Sequence, residues 1–387
     1  MRRRIEVAVL LVTACCLLVA ACGGTNGTVC KQPAKGEVLV YVAGPLSGFQ
    51  ANAGQTVLGG ARLAAEQTNC AGGLLGYKVT IVGLDDQSDS DVAAGIADQI
   101  KAAVGEGKRV LGVIGHLNSG QTLRAMEVYK DLPLVVITPT SSEVSLTQQG
   151  YRNFFRANAN DAAQARVDAG FLVNKLGAKR VAVVHNDDPY GVGLAQLITS
   201  ELQSLGAQVV VTLQVAVEQS SYAKEVPQIA AAQPDAVFYA GYEVETPYLR
   251  LALVDAGQTQ PFLASDGAFL AATIDEAGAA AEGIYVSAFG PSPKSISDPT
   301  WFKAYQKVEF RNPDTYSING YSALQVLADG VQKAGSLDAS KVEDAIRSLA
   351  AIKTPMGDLS YDAQGDLKDQ KIYIYQVQGG DWVQVYP

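Results

Sequence analysis

Short runs of valine, isoleucine and leucine alternate along most of the chain with stretches whose apolar residues recur at helical spacing. The first series reads "VLVYVAG", "GARLAAEQT", "KVTIVGLDD", "DVAAGIADQIKAAV", "VLGVIG", "TLRAMEVYKDL" and "LVVITP". Near-continuous apolar strands between amphipathic helices suit a parallel sheet buried on both faces, because the crossover helices cover each face. A second series starts at Asp161. It runs helix "AAQARVDAGFLVNKLG", strand "RVAVVHN", helix "GVGLAQLITSELQSLG", strand "AQVVVTLQV", helix "YAKEVPQIAAAQP", strand "DAVFYAG", helix "VETPYLRLALVDAG" and strand "PFLAS". Gly177, Gly206 and Gly257 follow helical runs, where left-handed caps are expected. Beyond "GIYVSAFGP" the alternation weakens. Helical patterns dominate from Asp298 to Ala351, and β-like "KIYIYQVQ" and "DWVQVY" close the chain. The pattern predicts an α/β protein with two Rossmann-like, three-layer αβα domains. The tail is expected to return to both, so that several segments cross between them.

The N-terminus changes this picture. Arg2, Arg3 and Arg4 precede an apolar run from Val7 to Val19, and small residues precede Cys22. That order reads as an export signal, and the run is shorter than the ~20 residues a membrane-spanning helix needs. The stretch "LVAAC" resembles a bacterial lipobox, which implies removal of residues 1–21 and lipidation of Cys22. The alternative is an ordinary signal followed by a structural cysteine. Glycines between Gly23 and Gly27 read as a flexible tether, assigned to residues 22–36. Of the 387 residues, 387 − 21 = 366 would remain, more than one core usually serves. Processing removes three arginines and Glu6, leaving 30 − 3 = 27 basic against 39 − 1 = 38 acidic residues, a net charge of −11. Such a balance argues against nucleic acid or anionic lipid as partners.

Five cysteines are present; Cys15 and Cys16 leave with the signal, Cys22 is assigned to lipid, and Cys30 and Cys70 remain. In an exported protein an even remainder suggests a disulfide. Cys30 lies just before the first strand and Cys70 ends the helix returning from that strand's far end. Both fall at one edge of the domain, and two free thiols are the alternative.

Candidate chemistry sits at the strand tips, since parallel α/β sheets bind ligands beyond the carboxyl ends of their strands. Leu117 to Thr122 follows "VLGVIG" and opens a helix whose first N–H groups and dipole face the tip. Asn118, Ser119 and Thr122 add polar groups, so a carboxylate can be held without lysine or arginine. The plainer reading is that Asn118 or Ser119 only caps the helix. A second tip, Thr138 to Ser142, supplies carbonyls and hydroxyls that can receive an ammonium. In the second series, tips carry Asn186-Asp187-Asp188-Pro189-Tyr190-Gly191, Gly241-Tyr242-Glu243 and Ser265-Asp266-Gly267. Asp266 there can pair with an ammonium or simply cap a helix, and Tyr242 can cover a ligand or pack at the rim.

In this order the motifs "GPLSG", "VIGHLNSGQT", "ITPTSSE", "FFRANAND", "VVHNDDPYGVGLA", "FYAGYE", "SDG" and "MGDLSYDAQGDLK" resemble the type I periplasmic binding proteins, specifically the leucine/isoleucine/valine-binding family of ABC importers. The likeness covers nearly all of the mature chain. It implies an N-terminal lobe of residues 37–157 and 289–364 and a C-terminal lobe of 158–288 and 365–387, joined by a multi-crossover hinge. It further implies that Leu117, Asn118, Ser119, Thr140, Ser141, Ser142, Tyr190, Tyr242 and Asp266 form the ligand site. By the resemblance, Ser119 and Ser142 hold an α-carboxylate. The Thr140 carbonyl, the Ser142 hydroxyl and Asp266 receive the α-ammonium, and Tyr190 and Tyr242 cover the ligand. Asp266 stands where branched-chain binders often have glutamate, one methylene longer. Ala53, in "FQANAGQ", stands where several relatives carry an aromatic against the ligand side chain, which opens room for a larger amino acid or a related amide or acid. The implied partners are a small-molecule ligand and the membrane subunits of an ABC permease, with the membrane reached only through the lipid anchor. The same fold also serves extracellular sensing.

An enzyme reading finds little to build on. No G-x-G-x-x-G follows the first strand and no Walker A loop is present. His116 and His185, the only 2 histidines, sit at strand ends. Ser119 beside His116 lacks an identifiable orienting acid. No paired His or Cys spacing suggests a metal, and no cofactor is called for.

Overall fold

The computed structural model describes residues 30–296 and 299–387. The export signal at 1–21, Cys22 and tether residues up to 29 lie outside the described residues. The first half contains β1 (Glu37–Gly44), α1 (Ala51–Cys70), β2 (Lys78–Asp85), α2 (Ser90–Gly105), β3 (Val110–Gly115), α3 (Ser119–Tyr129), β4 (Val135–Thr138) and β5 (Phe154–Arg156). Then follow α4 (Asp161–Gly170), β6 (Arg180–Asn186), α5 (Pro189–Ser204), β7 (Gln208–Val215), α6 (Glu225–Ala232), β8 (Ala236–Ala240), α7 (Thr246–Asp255), β9 (Phe262–Ala264), α8 (Ala271–Ala277) and β10 (Tyr285–Ala288). The tail adds α9 (Pro299–Glu309), α10 (Thr315–Ala334), α11 (Ala339–Ser348), β11 (Ile352–Thr354), β12 (Gly357–Leu359), β13 (Tyr373–Gln378) and β14 (Asp381–Tyr386).

Two twisted sheets organise these elements. The first has the order β2-β1-β3-β4-β5 and is parallel throughout; the second runs β14-β13-β10-β9-β8-β6-β7 and is parallel except where β13 and β14 join it antiparallel. Period-2 alternation divides each apolar strand between two faces. In β1, Val38, Val40 and Val42 pack with α1 and α10, whereas Tyr41 and Ala43 pack with Ile96 and Ile100 of α2 and Met126 of α3. In β6, Ala182 and Val184 face one layer and Val181 and Val183 the other. Burial on both faces explains why these strands read as unbroken hydrophobic runs. Gly177, Gly206 and Gly257 have positive φ, as expected of helix caps.

Two details depart from the sequence expectation. The segment Lys31–Lys35 is not free tether, because the Cys30–Cys70 disulfide and backbone hydrogen bonds to Cys70 and Gly76 fix it to the first lobe. The helix starting at Asp161 loosens into a π-helical turn at Phe171–Lys175. Residues 365–368 pair by backbone hydrogen bonds with Arg156 and Ser360. There the Gly365 carbonyl accepts from the Arg156 N–H, and the Lys368 N–H donates to Ser360. The short hairpin β11–β12 and the three-residue β5 carry too few residues to show a period.

The chain passes between lobes after β5, after β10 and before β13. Ala159, Phe289 and Ile372 from these passages share one apolar cluster with Trp301 and Tyr305 of α9. Helix α10 lies tightly on α1. A Cβ at Gly60 would collide with the Ser317 carbonyl, and one at Gly320 would collide with the Val57 carbonyl. Backbone cannot yield as a flexible side chain would, so overpacking should be costly. Gly320→Ala is expected to destabilise the protein by about 3 kcal/mol, read as a lowered midpoint in denaturant unfolding. Gly95→Ala, which meets open space on α2, should leave the midpoint within about 0.5 kcal/mol or raise it.

Candidate functional site

The carboxyl end of β3 delivers the chain into α3 through Asn118. Asn118 is the N-cap by backbone conformation, yet its side chain makes no capping hydrogen bond. Its Nδ2 instead donates to Gln50 Oε1 at 2.7 Å. The helix's first backbone bond runs from the Thr122 N–H to the Asn118 carbonyl at 3.0 Å. The N–H groups before it have no intrahelical acceptor. Capping alone therefore does not explain the polar tip.

Hydroxyls lock the second tip to the first. Thr138 Oγ1 donates to the His116 carbonyl at 2.9 Å and Thr140 Oγ1 to the Leu117 carbonyl at 2.5 Å. Ser141 Oγ bonds the same two carbonyls, both at 3.1 Å, and lies 2.6 Å from Thr122 Oγ1. Ser141 thus faces the scaffold, while Ser142 faces the cavity. Arg156 holds this loop from behind: it donates to the Ser141 carbonyl at 2.9 Å and the Glu143 carbonyl at 2.7 Å, and pairs with Asp366 at 2.6 Å. The one large cation here is thereby spent on backbone and carboxylate, and none lines the cavity.

The second lobe supplies the facing wall. Asp188 caps α5 by accepting from the Tyr190 N–H at 2.9 Å, which sets Tyr190 at the mouth of that helix. Tyr190 stacks on Tyr242 with centroids 5.6 Å apart and an interplanar angle of 18°. Its hydroxyl donates to Asp266 Oδ1 at 2.6 Å, and Gln164 Nε2 donates to the same oxygen at 3.0 Å. Asp266 is therefore a positioned carboxyl, not a helix cap. Tyr316, from the start of α10 in the other lobe, donates its hydroxyl to the Asp266 carbonyl at 3.0 Å and ties the lobes together.

These groups surround a small interlobe cavity lined by Leu117, Asn118, Ser119, Thr140, Ser142, Tyr190, Tyr242 and Asp266, together with Gln50, Gly267 and Tyr316. The lobes are closed over it: Ser119 and Ser142 are each 1% exposed and Asp266 5%. Ala53 is buried in the first-lobe core and does not line the cavity. Gln50, one turn earlier, takes the wall expected for it. No strand-tip argument could find Gln50 or Tyr316, since both enter from helix N-termini, and Tyr316 does so from the tail.

Buried carboxyls dominate the electrostatics. Burial pushes Asp266 up to about 6, opposed by the hydrogen bonds from Tyr190 and Gln164. Burial also pushes Asp161, behind Ser142, to about 8; the Ser142 hydroxyl opposes the rise and the nearby Asp266 charge adds to it. Both Asp161 side-chain oxygens lack hydrogen bonds in ordinary geometry. Asp168 is raised by burial as well, although Ser287 donates to it at 3.0 Å. His116 is engaged by Asp86 at 2.6 Å and Tyr129 at 3.2 Å, while Ser119 Oγ accepts from the Glu143 N–H at 3.3 Å. No serine–histidine pair forms.

A carboxyl whose folded pKa lies above its unfolded value binds protons more tightly in the folded state. Stability is then greatest below the unfolded value and falls as pH rises through the folded one. For Asp161 that window runs from its ordinary value of 3.8 to about 8. The protein alone should lose denaturant resistance between pH 5 and pH 8. Asp161→Asn should flatten that decline, and an equally steep decline in the variant would contradict the assignment.

The periplasmic binding protein family matches residues 40–381. The Leu/Ile/Val-binding protein homolog 1 of Brucella melitensis is 31% identical over 345 residues, covering 89% of this chain and 91% of that protein. A leucine-, isoleucine-, valine-, threonine-, and alanine-binding protein of Pseudomonas aeruginosa is 30% identical over 345 residues, with 88% and 89% covered. The crystal structure of the leucine binding protein LivK from Thermotoga maritima superposes with a TM-score of 0.82 at 27% identity, over 90% of this chain and 97% of that one.

Proposed function

The chain belongs to the periplasmic binding protein family, in the group that includes the Leu/Ile/Val-binding protein homologues, and we propose that it captures an α-amino acid for an ABC importer. The observation that carries this reading is the pairing of an uncharged donor cradle in one lobe with a buried acid from the other. Ser119, Ser142 and the α3 N-terminus take the carboxylate by hydrogen bonds. Asp266 receives the ammonium, joined by the Thr140 carbonyl, which accepts from Asn158 at 3.0 Å and keeps a second lone pair. Tyr190 and Tyr242 cover the ligand. Relatives named for binding leucine, isoleucine and valine support the amino-acid class.

We assign residues 37–157 and 289–368 to the N-terminal lobe and 158–288 with 369–387 to the C-terminal lobe. The ligand bridges them, so it favours the closed arrangement by its differential affinity. Cys22, in our reading, is diacylated and holds the mature chain on the outer face of the membrane, within reach of permease subunits. Two acyl chains give stable attachment where one does not. The reading is that of a binding protein rather than an enzyme, since the geometry offers charge complementarity but no activated nucleophile.

Titration calorimetry across the α-amino acids tests the assignment. Ser119→Ala should weaken the identified ligand by about 1–3 kcal/mol through loss of a hydrogen bond to a charged group. Asp266→Asn should weaken amine-bearing ligands selectively. Native affinity in both variants would overturn the reading. Separately, Cys22→Ala should move the protein from the membrane fraction to the soluble fraction, and unchanged membrane association would refute the anchor.

A further inference from the structure

One wall of the cavity is more polar than a branched aliphatic side chain requires. Gln50 Oε1 accepts from Ser88 Oγ at 2.9 Å and from Asn118 Nδ2 at 2.7 Å, and the Gln50 side chain opposes the rise that burial imposes on Glu243. This relay engages one N–H of the Asn118 amide, which turns its Oδ1 the other way. Asn118 Oδ1 is left buried without a hydrogen bond, and the Tyr242 hydroxyl, which faces the Asp188 carboxyl and the Asn118 side chain, makes no bond of good geometry to either. The two side chains are 5% and 6% exposed and both line the cavity. A buried polar atom without a partner is costly. A ligand that satisfied both would be favoured over one that left them bare.

We propose that this cavity selects an α-amino acid with a short neutral side chain that both donates and accepts hydrogen bonds, a hydroxyl or a carboxamide, read by Asn118 Oδ1 and the Tyr242 hydroxyl. The proposal rests on the amino-acid reading above and narrows it. Burial pushes Glu243 up to about 8, which disfavours a negative charge at that end of the relay. Leu117 and the Tyr316 ring complete the wall and limit the side chain's length.

Two isosteric pairs separate hydrogen bonding from size. Calorimetry on the mature wild-type chain with L-threonine against L-valine, and with L-asparagine against L-leucine, should show at least a tenfold preference for the polar member of one pair. A site built to bond a polar group strongly rejects the analogue lacking it. Tyr242→Phe, which removes one oxygen and keeps the stacked ring, should cut that preference at least threefold, and Asn118→Leu should reverse it. Equal or tighter binding of valine and leucine in the wild type would overturn this proposal and leave the amino-acid reading standing. A wild-type preference undiminished in either variant would overturn the two assigned atoms. Failure of all four ligands, and of every other α-amino acid, to bind would overturn both readings.

Discussion

A carboxyl group that must lose its water when the lobes meet is the constraint on which this structure turns. Asp266 projects from the second lobe into a cavity whose lining contains no lysine or arginine. Burial pushes Asp266 up to about 6, and the hydrogen bonds from Tyr190 and Gln164 oppose that rise. An unpaired buried carboxylate is expensive. In the proposed reading a ligand ammonium supplies the missing charge, so the closed form is most favourable when occupied. Had a protein lysine filled that role, closure would not depend on the ligand.

The surrounding fold keeps other charges from interfering. Arg156 would be the natural anion binder beside the cradle, but Asp366 and the carbonyls of the 141–143 loop hold it behind the site. In the proposed reading the cradle then uses N–H and hydroxyl donors, and these carry no net charge to desolvate as the cleft shuts. The same clamp fixes the loop bearing Ser142. Because Asp366 lies in the tail, a segment more than two hundred residues downstream helps to shape the first-lobe site. The three crossing passages meet in the Ala159, Phe289 and Ile372 cluster, which gives the lobes a common packed hinge.

Much of this was legible in the sequence, for physical reasons that differ by element. Doubly covered parallel strands leave a strong apolar signal, so β1, β3, β6 and β8 stand out, and strand tips then point to Ser119, Ser142, Tyr190, Tyr242 and Asp266. Gln50 escaped because it belongs to the turn before a helix, where polar residues are ordinary. Tyr316 escaped because only tertiary packing of α10 brings it to the cavity. Ala53, in α1, lies in the first-lobe core and not in the cavity lining. The backbone pairing between Lys368 and Ser360 likewise leaves no mark on hydropathy.

The most direct test of ligand-dependent closure compares an amino acid with its des-amino analogue, which keeps the carboxylate and side chain but lacks the ammonium. Small-angle scattering of the mature chain should show a smaller radius of gyration with saturating amino acid than with saturating analogue, and the analogue should leave the protein near its ligand-free dimensions. Equal compaction by both ligands would contradict the account, because closure would then owe nothing to neutralising Asp266.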